Sequence, residues 1–322
     1  MLQSRTLLPL LGFILLVGCT KPSKEVNPPS DPQKTAQDDQ RMQEPQKEAE
    51  EARQEEPSSK PLSAKKVGKK QLQEWVQEAT KRDKCNRVMG CPVEERIVAA
   101  GVDSVPFIIE AYRAMHRPVY QKFHLIAMLG RIASRQAEDF LVGELDSPLW
   151  QSRAESAIAL GRMGSQSLKS KLASMFDATT GENRLGSRYA LAYALVLLGE
   201  PEYADVLVQG LDPKTASGVN WGFTAIAVEL AGELSLRRAC NHLDWSIKHP
   251  DLFLKKAALE TAGRLRCENR EVQEATSDLL GHKVGSVREV AGEALEKMTG
   301  IRFNTKESWL NYRNARDARD AK

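Results

Sequence analysis

Catalysis and metal binding need cysteines, histidines, carboxylates or serines at workable spacings, and in this chain such residues are few and scattered. The five histidines, His116, His124, His242, His249 and His282, are isolated from one another. No two fall at i, i+3 or i, i+4, the spacings that place two imidazoles on one helix face for a metal. Gly164-Ser165-Gln166 and Gly285-Ser286-Val287 lack the Gly-x-Ser-x-Gly frame and the preceding strand of an exposed nucleophile, so both serines read as helix caps. Gly161 and Gly164 lack the Lys-Ser/Thr end of a phosphate loop and read as helix terminators. Cys85 and Cys91 flank a Gly90/Pro92 turn, which favours a local disulfide. A zinc site there is the weaker reading, because no cysteine or histidine pair accompanies them at ligand spacing. No catalytic residue, metal or cofactor is expected, and the chain reads as not an enzyme.

The elements that must carry these residues divide the chain in three. At the N-terminus, Arg5 precedes an apolar stretch from Leu7 to Val17 that ends in Leu16-Val17-Gly18-Cys19. This is too short to span a bilayer and has the layout of an export signal. Its last four residues resemble the lipobox of bacterial lipoproteins. That resemblance implies cleavage after residue 18, a diacylglycerol thioether on Cys19, and residence in the bacterial cell envelope. Thr20 stands where the family's inner-membrane retention signal has Asp, which implies the outer membrane facing the periplasm. From Thr20 to Lys66 there are seven prolines, no aromatic residue and only seven apolar ones, and its nine basic and ten acidic residues nearly cancel. Such a stretch cannot bury a core and reads as a disordered tether over 19–68.

From Gln71 onward, apolar residues recur at three- and four-residue intervals with almost no alternation, so the rest of the chain is helical. Segments rich in alanine and closed by Leu-Gly or its equivalent repeat along it: 123–130, 153–161, 188–199, 224–232, 256–265 and 287–295. The marker glycines Gly130, Gly161, Gly199 and Gly232 are spaced by 31, 38 and 33 residues, the length of one helical hairpin. An Arg or Lys entering an alanine-rich helix, a Leu-Gly, a short turn and a second amphipathic helix together resemble HEAT-like repeats of the short bacterial kind. The expected fold is an all-α α-solenoid of six to seven HEAT-like hairpins over 69–322. Leu72, Trp75, Val76 and Ala79 would cap one end, and Phe303, Trp309, Leu310 and Tyr312 the other. With Cys19 lipidated, four cysteines remain, and Cys240 and Cys267 would sit near the starts of second helices in adjacent repeats. They read either as a disulfide or as free buried thiols.

HEAT-type di-iron hydroxylases use repeated His-Glu pairs, and the chain contains no His-Glu dipeptide. Other HEAT-like proteins attach or isomerise bilin chromophores, which leaves a cofactor- or chromophore-handling relative as the alternative reading. The leading expectation is a protein-interaction scaffold whose second helices line the inner face. Lys169, Lys171, Arg237, Arg238, His242 and Trp245 are its candidate contacts, since Arg and Trp concentrate at the energetic centres of interfaces. Its partners would be envelope proteins, together with the bilayer through Cys19. Lys plus Arg total 46 against 43 Asp plus Glu, a net +3 over 322 residues, which is no field for a nucleic-acid partner.

Overall fold

The computed structural model describes residues 67–85, 91–117, 119–181, 184–216 and 221–321. Cys19, the expected signal over 1–18 and nearly all of the expected tether lie outside them. Among the described residues there is no strand, and no helix is long and apolar enough to cross a membrane.

The helices alternate between longer first helices and shorter second helices. After α1 (Lys69–Ala79) come six hairpins: α2 (Glu94–Ala99) with α3 (Val105–Ala114), α4 (Tyr120–Ile132) with α5 (Glu138–Glu144), α6 (Trp150–Arg162) with α7 (Lys169–Ala178), and α8 (Leu185–Leu197) with α9 (Ala204–Gln209). The short α10 (Pro213–Ala216) precedes the fifth, α11 (Trp221–Glu233) with α12 (Leu243–Lys248), and the sixth is α13 (Leu252–Leu265) with α14 (Arg270–Ser277). Then α15 (Gly285–Thr299) and α16 (Lys306–Asp320) close the array. This is the all-α solenoid of HEAT-like hairpins that the sequence pattern implies.

Each first helix from α4 onward stops in the same way. The residue after it, or one or two further on, takes a left-handed conformation: Ala133, Gly164, Gly199, Ser235, Arg266 and Gly300, at φ between 51° and 92°. In four of the repeats the next amide then reaches back to a carbonyl in the last helical turn. Ser165 donates to Leu160 (3.2 Å), Glu200 to Leu195 (3.0 Å), Leu236 to Ala231 (3.0 Å) and Cys267 to Ala262 (3.1 Å). That is the Schellman arrangement, which satisfies carbonyls the helix would otherwise leave open. A 3-10 turn then leads into most of the second helices.

The glycine of the Leu-Gly marker has a different task from the one its position in the sequence suggests. Gly130, Gly161, Gly232 and Gly263 lie inside their helices, where a Cβ would come within 2.7–3.0 Å of Ala159, Ala194, Thr261 and Ala294 on the next first helix. They let first helices approach closely, so Gly161 is not a terminator, whereas Gly164 is. Gly199 belongs with Gly164 as well. The residue that occupies the packing position in its repeat is Val196, and this is why the marker spacing looks uneven.

One continuous apolar core runs from Val76 to Trp309. At its N-terminal end Leu72, Val76 and Ala79 are buried, while Trp75 is only partly covered and lies under the Arg96 guanidinium, 5.4 Å from its ring centre. At the other end Phe303 and Trp309 are buried and Leu310 and Tyr312 pack beside them, covering the last hairpin. Terminal elements of this kind supply the cover that the last repeats lack.

Candidate functional site

The first helices pack side by side as one layer of the array. Their close approach at the glycine positions draws that layer together. Arg162 on α6 reaches Glu233 on α11, past the intervening α8, donating from Nη2 to Oε2 at 2.6 Å. The pair therefore spans the face of α8 that lies between them. Tyr193 of α8 sits under the bridge, donating from its hydroxyl to Glu233 Oε2 (2.7 Å) and accepting from Arg162 Nε (3.2 Å).

Around this bridge the first-helix layer collects carboxyls from three helices. Glu155 of α6 lies within electrostatic reach of Glu233, Arg162 and His124. Glu229 of α11 lies within reach of Glu260, Glu233, Glu155 and Arg264. Burial, reinforced by Glu233, pushes the Glu155 carboxyl up to about 7 against the opposing charge of Arg162 and His124. Burial and the three neighbouring carboxylates push Glu229 up to about 8. Glu229 is exposed and Glu155 half-buried, so solvent reaches both carboxyls and screens them in part. The Tyr193 hydroxyl is held above the usual phenol range by burial and by Glu233. Leu197 and Ile226, partly buried against the core, lie one helical turn from Tyr193 and Glu229. The result is an open groove with two carboxyls that change charge near neutral pH, a fixed Arg–Tyr–Glu bridge and an exposed cation, Arg264. It can exchange protons, and it can hold N–H donors or a cation.

The residues picked from sequence sit elsewhere. Lys169 pairs with Glu200 at 2.5 Å and Lys171 with Asp146 at 3.1 Å, while Arg238 bonds Asp205. Each of these pairs ties a second helix or its 3-10 turn to the neighbouring repeat. Trp245 donates from Nε1 to the Leu211 carbonyl (2.7 Å) and packs edge-on against His249. Arg237 is exposed and His242 partly buried, both in the 3-10 segment before α12. Arg237, Arg238 and His242 thus lie in the 3-10 segment before α12 and Trp245 on α12 itself, while Lys169 and Lys171 lie on the first turn of α7. Cys240 and Cys267 are joined by a disulfide with Cα atoms 5.6 Å apart, stapling two successive outer turns, and Cys85 and Cys91 are joined likewise.

The acidic cluster escaped the sequence reading because its members come from helices two to seven apart along the chain. A signal was nonetheless present. Glu155, Glu229 and Glu260 are single charges set inside the alanine- and leucine-rich runs of first helices, where only apolar residues are needed for packing. The best-formed cavities of the described residues do not lie in this groove. One of about 280 Å³ is lined by Arg288, Arg302 and Phe303 among others, and one of about 60 Å³ lies beside Trp309 and Arg313, both at the C-terminal end.

The family whose profile matches is the PBS lyase HEAT-like repeat, over residues 187–213, which covers α8 and α9. No curated protein is significantly similar to the chain. Among solved structures, the complex of CpcE and CpcF of phycocyanin lyase from Nostoc is similar at 16% identity, covering 76% of this chain and 98% of that one, with a TM-score of 0.40. Human deoxyhypusine hydroxylase in complex with glycerol is similar at 15% identity, covering 72% and 97%, with a TM-score of 0.35. An engineered protein is similar at 13% identity, covering 80% and 97%, with a TM-score of 0.31. The expectation that the chain is not an enzyme is overturned by the family match, since the repeat it carries is the one named for PBS lyase. The chain is an all-α array of helical hairpins that carries a PBS lyase HEAT-like repeat at its centre.

Proposed function

We propose that the chain is a lyase-related HEAT-like protein that handles an elongated, N–H-rich cofactor or chromophore along its inner groove. The observation that supports this most directly is the placement of Glu155 and Glu229, two carboxyls that take up or release a proton near neutral pH, on one open face beside Arg264 and the apolar Leu197 and Ile226. A linear tetrapyrrole matches such a face: its pyrrole N–H groups meet the carboxyls, its propionates meet Arg264, and its rings cover the apolar residues. The test is an absorbance titration of the full-length protein with biliverdin. The reading expects a saturable spectral shift that Glu155→Gln and Glu229→Gln each weaken at least tenfold. An unshifted spectrum at saturating protein would refute it.

A second reading is favoured by the openness of the groove, which suits a polypeptide as well as a pigment. In it the array organises envelope proteins while held to the membrane through Cys19, and the two disulfides agree with an oxidising compartment. Crosslinking and recovery of the full-length protein and its Cys19→Ala form from membranes tests both parts. The address fails if Cys19→Ala leaves membrane attachment unchanged, and the partner reading fails if no envelope protein is recovered with either form.

A further inference from the structure

His124, isolated in the sequence, has close neighbours in the fold. It lies on α4 one turn after Gln121, which is 3% exposed and donates from Nε2 to the Cys85 carbonyl at 2.5 Å. That bond holds the Cys85–Cys91 disulfide against the helix. The two Sγ atoms and an imidazole nitrogen of His124 lie within 4.8 Å of one another. The ring is stacked on Tyr120, with centroids 5.2 Å apart, and its Nε2 is 2.7 Å from Glu94 Oε2. Glu94 is itself fixed by Arg131, at 2.6 Å from its other oxygen. Burial opposes ionisation of Glu94, but the hydrogen bonds and charges of His124 and Arg131 prevail and hold its carboxyl below the ordinary value.

We propose that Cys85, Cys91 and His124 form a redox-gated site for a thiophilic divalent cation of the zinc class. While the disulfide is intact its neutral sulfurs carry no thiolate charge and are poor ligands, so the site is closed. A dithiol donor opens it: the S–S bond takes two electrons and two protons, giving two thiols, and the donor is oxidised to its own disulfide. The cation then displaces both thiol protons to solvent, forming two metal–sulfur bonds and one bond to an imidazole nitrogen. Two thiolates cancel the charge of the cation, so no net charge is buried. Three protein ligands leave a tetrahedral position open to water. Glu94 acts as the positioning carboxylate that orients the imidazole and raises its basicity, the usual companion of a metal-bound histidine. No histidine or carboxylate completes such a group at Cys240–Cys267 among the described residues, and that pair is therefore a built-in control.

The test uses the full-length Cys19→Ala protein, reduced anaerobically with a phosphine to exclude competing thiols and titrated with Co²⁺. The reduced protein should bind one equivalent with thiolate-to-cobalt charge-transfer absorption, displaced by Zn²⁺, and the oxidised protein should show none. His124→Ala should weaken binding at least tenfold, and Cys240→Ala/Cys267→Ala should leave it unchanged. The proposal is overturned if the reduced protein shows no charge-transfer band, if His124→Ala binds as tightly as the parent, or if binding depends on Cys240 and Cys267. Should the reduced His124→Ala protein lose its helical circular dichroism, Glu94→Gln decides instead. A loss of about ten- to a hundredfold supports the site, and an unchanged affinity overturns it.

Discussion

The two helical layers are made from the same chain in alternation, and they treat charge in opposite ways. In the first-helix layer, glycine and alanine bring neighbours so close that Arg162 meets Glu233 across an intervening helix, and carboxyls from three helices share one groove. In the second-helix layer, Lys169, Lys171 and Arg238 each find one acid on the next repeat, in pairs still partly open to solvent. Proximity is the cause of the difference. In the first-helix layer several charges lie close enough to shift one another's proton affinity. In the second-helix layer each pair settles separately.

The largest break in this contrast comes from adding one methyl group to each layer. Gly161→Ala would put a Cβ 2.7 Å from the Ala194 backbone, where nothing flexible can yield, and should cost about 2–3 kcal/mol of stability. Gly143→Ala, in the second helix α5, meets nothing within 4 Å and should stabilise by about 0.5–1 kcal/mol through helix propensity. Urea denaturation of both variants measures the difference. Equal effects would mean that the layers are packed alike.

The next test uses pH. Glu155 and Glu229 bind protons more tightly in the folded groove than at their ordinary value of 4.5. Raised carboxyls contribute stability that is complete below about pH 4.5 and is lost as pH rises through 7 to 8, because the folded state must then hold extra charge. After discounting for the solvent that reaches both side chains, the loss between pH 5 and 8 should be about 1–2 kcal/mol. Thermal melts across that range should fall with pH in the parent and flatten in Glu155→Gln. A flat parent profile would show that the groove is as wet as the outer face.

The alternation of layers was legible in the sequence, and their roles were not. Alanines and leucines at helical spacing mark every first helix, and Phe303 and Trp309 announce the closing cap, because burial leaves a local signature. How closely the first helices approach is set by glycines that a linear reading takes for turn residues. Gly161 and Gly164 look alike in the sequence, but one makes room for Ala194 and the other takes the left-handed turn. The groove and the His124 cluster were hidden for a related reason. Their members are separated by 30 to 100 residues, and no spacing rule joins Glu155 to Glu229 or His124 to Cys85.

The helix ends offer a finer test of the same distinction. Arg266 takes φ 51° at the end of α13, a conformation in which a Cβ crowds the following carbonyl, while Gly164, Gly199 and Gly300 take it without that clash. Arg266→Gly should therefore stabilise by about 1 kcal/mol, reduced by a few tenths through the greater freedom of glycine in the unfolded chain. The smallest effect belongs to the second-helix layer. Lys169→Ala removes the pair with Glu200, in which both side chains are about one-third exposed, and should cost no more than about 0.5 kcal/mol, with the loss fading in high salt. A double-mutant cycle with Glu200→Gln isolates that pair. A coupling above about 1.5 kcal/mol, or one insensitive to salt, would mean that the pairs of the second-helix layer are coupled as strongly as the charges of the first and that the contrast between the layers does not hold.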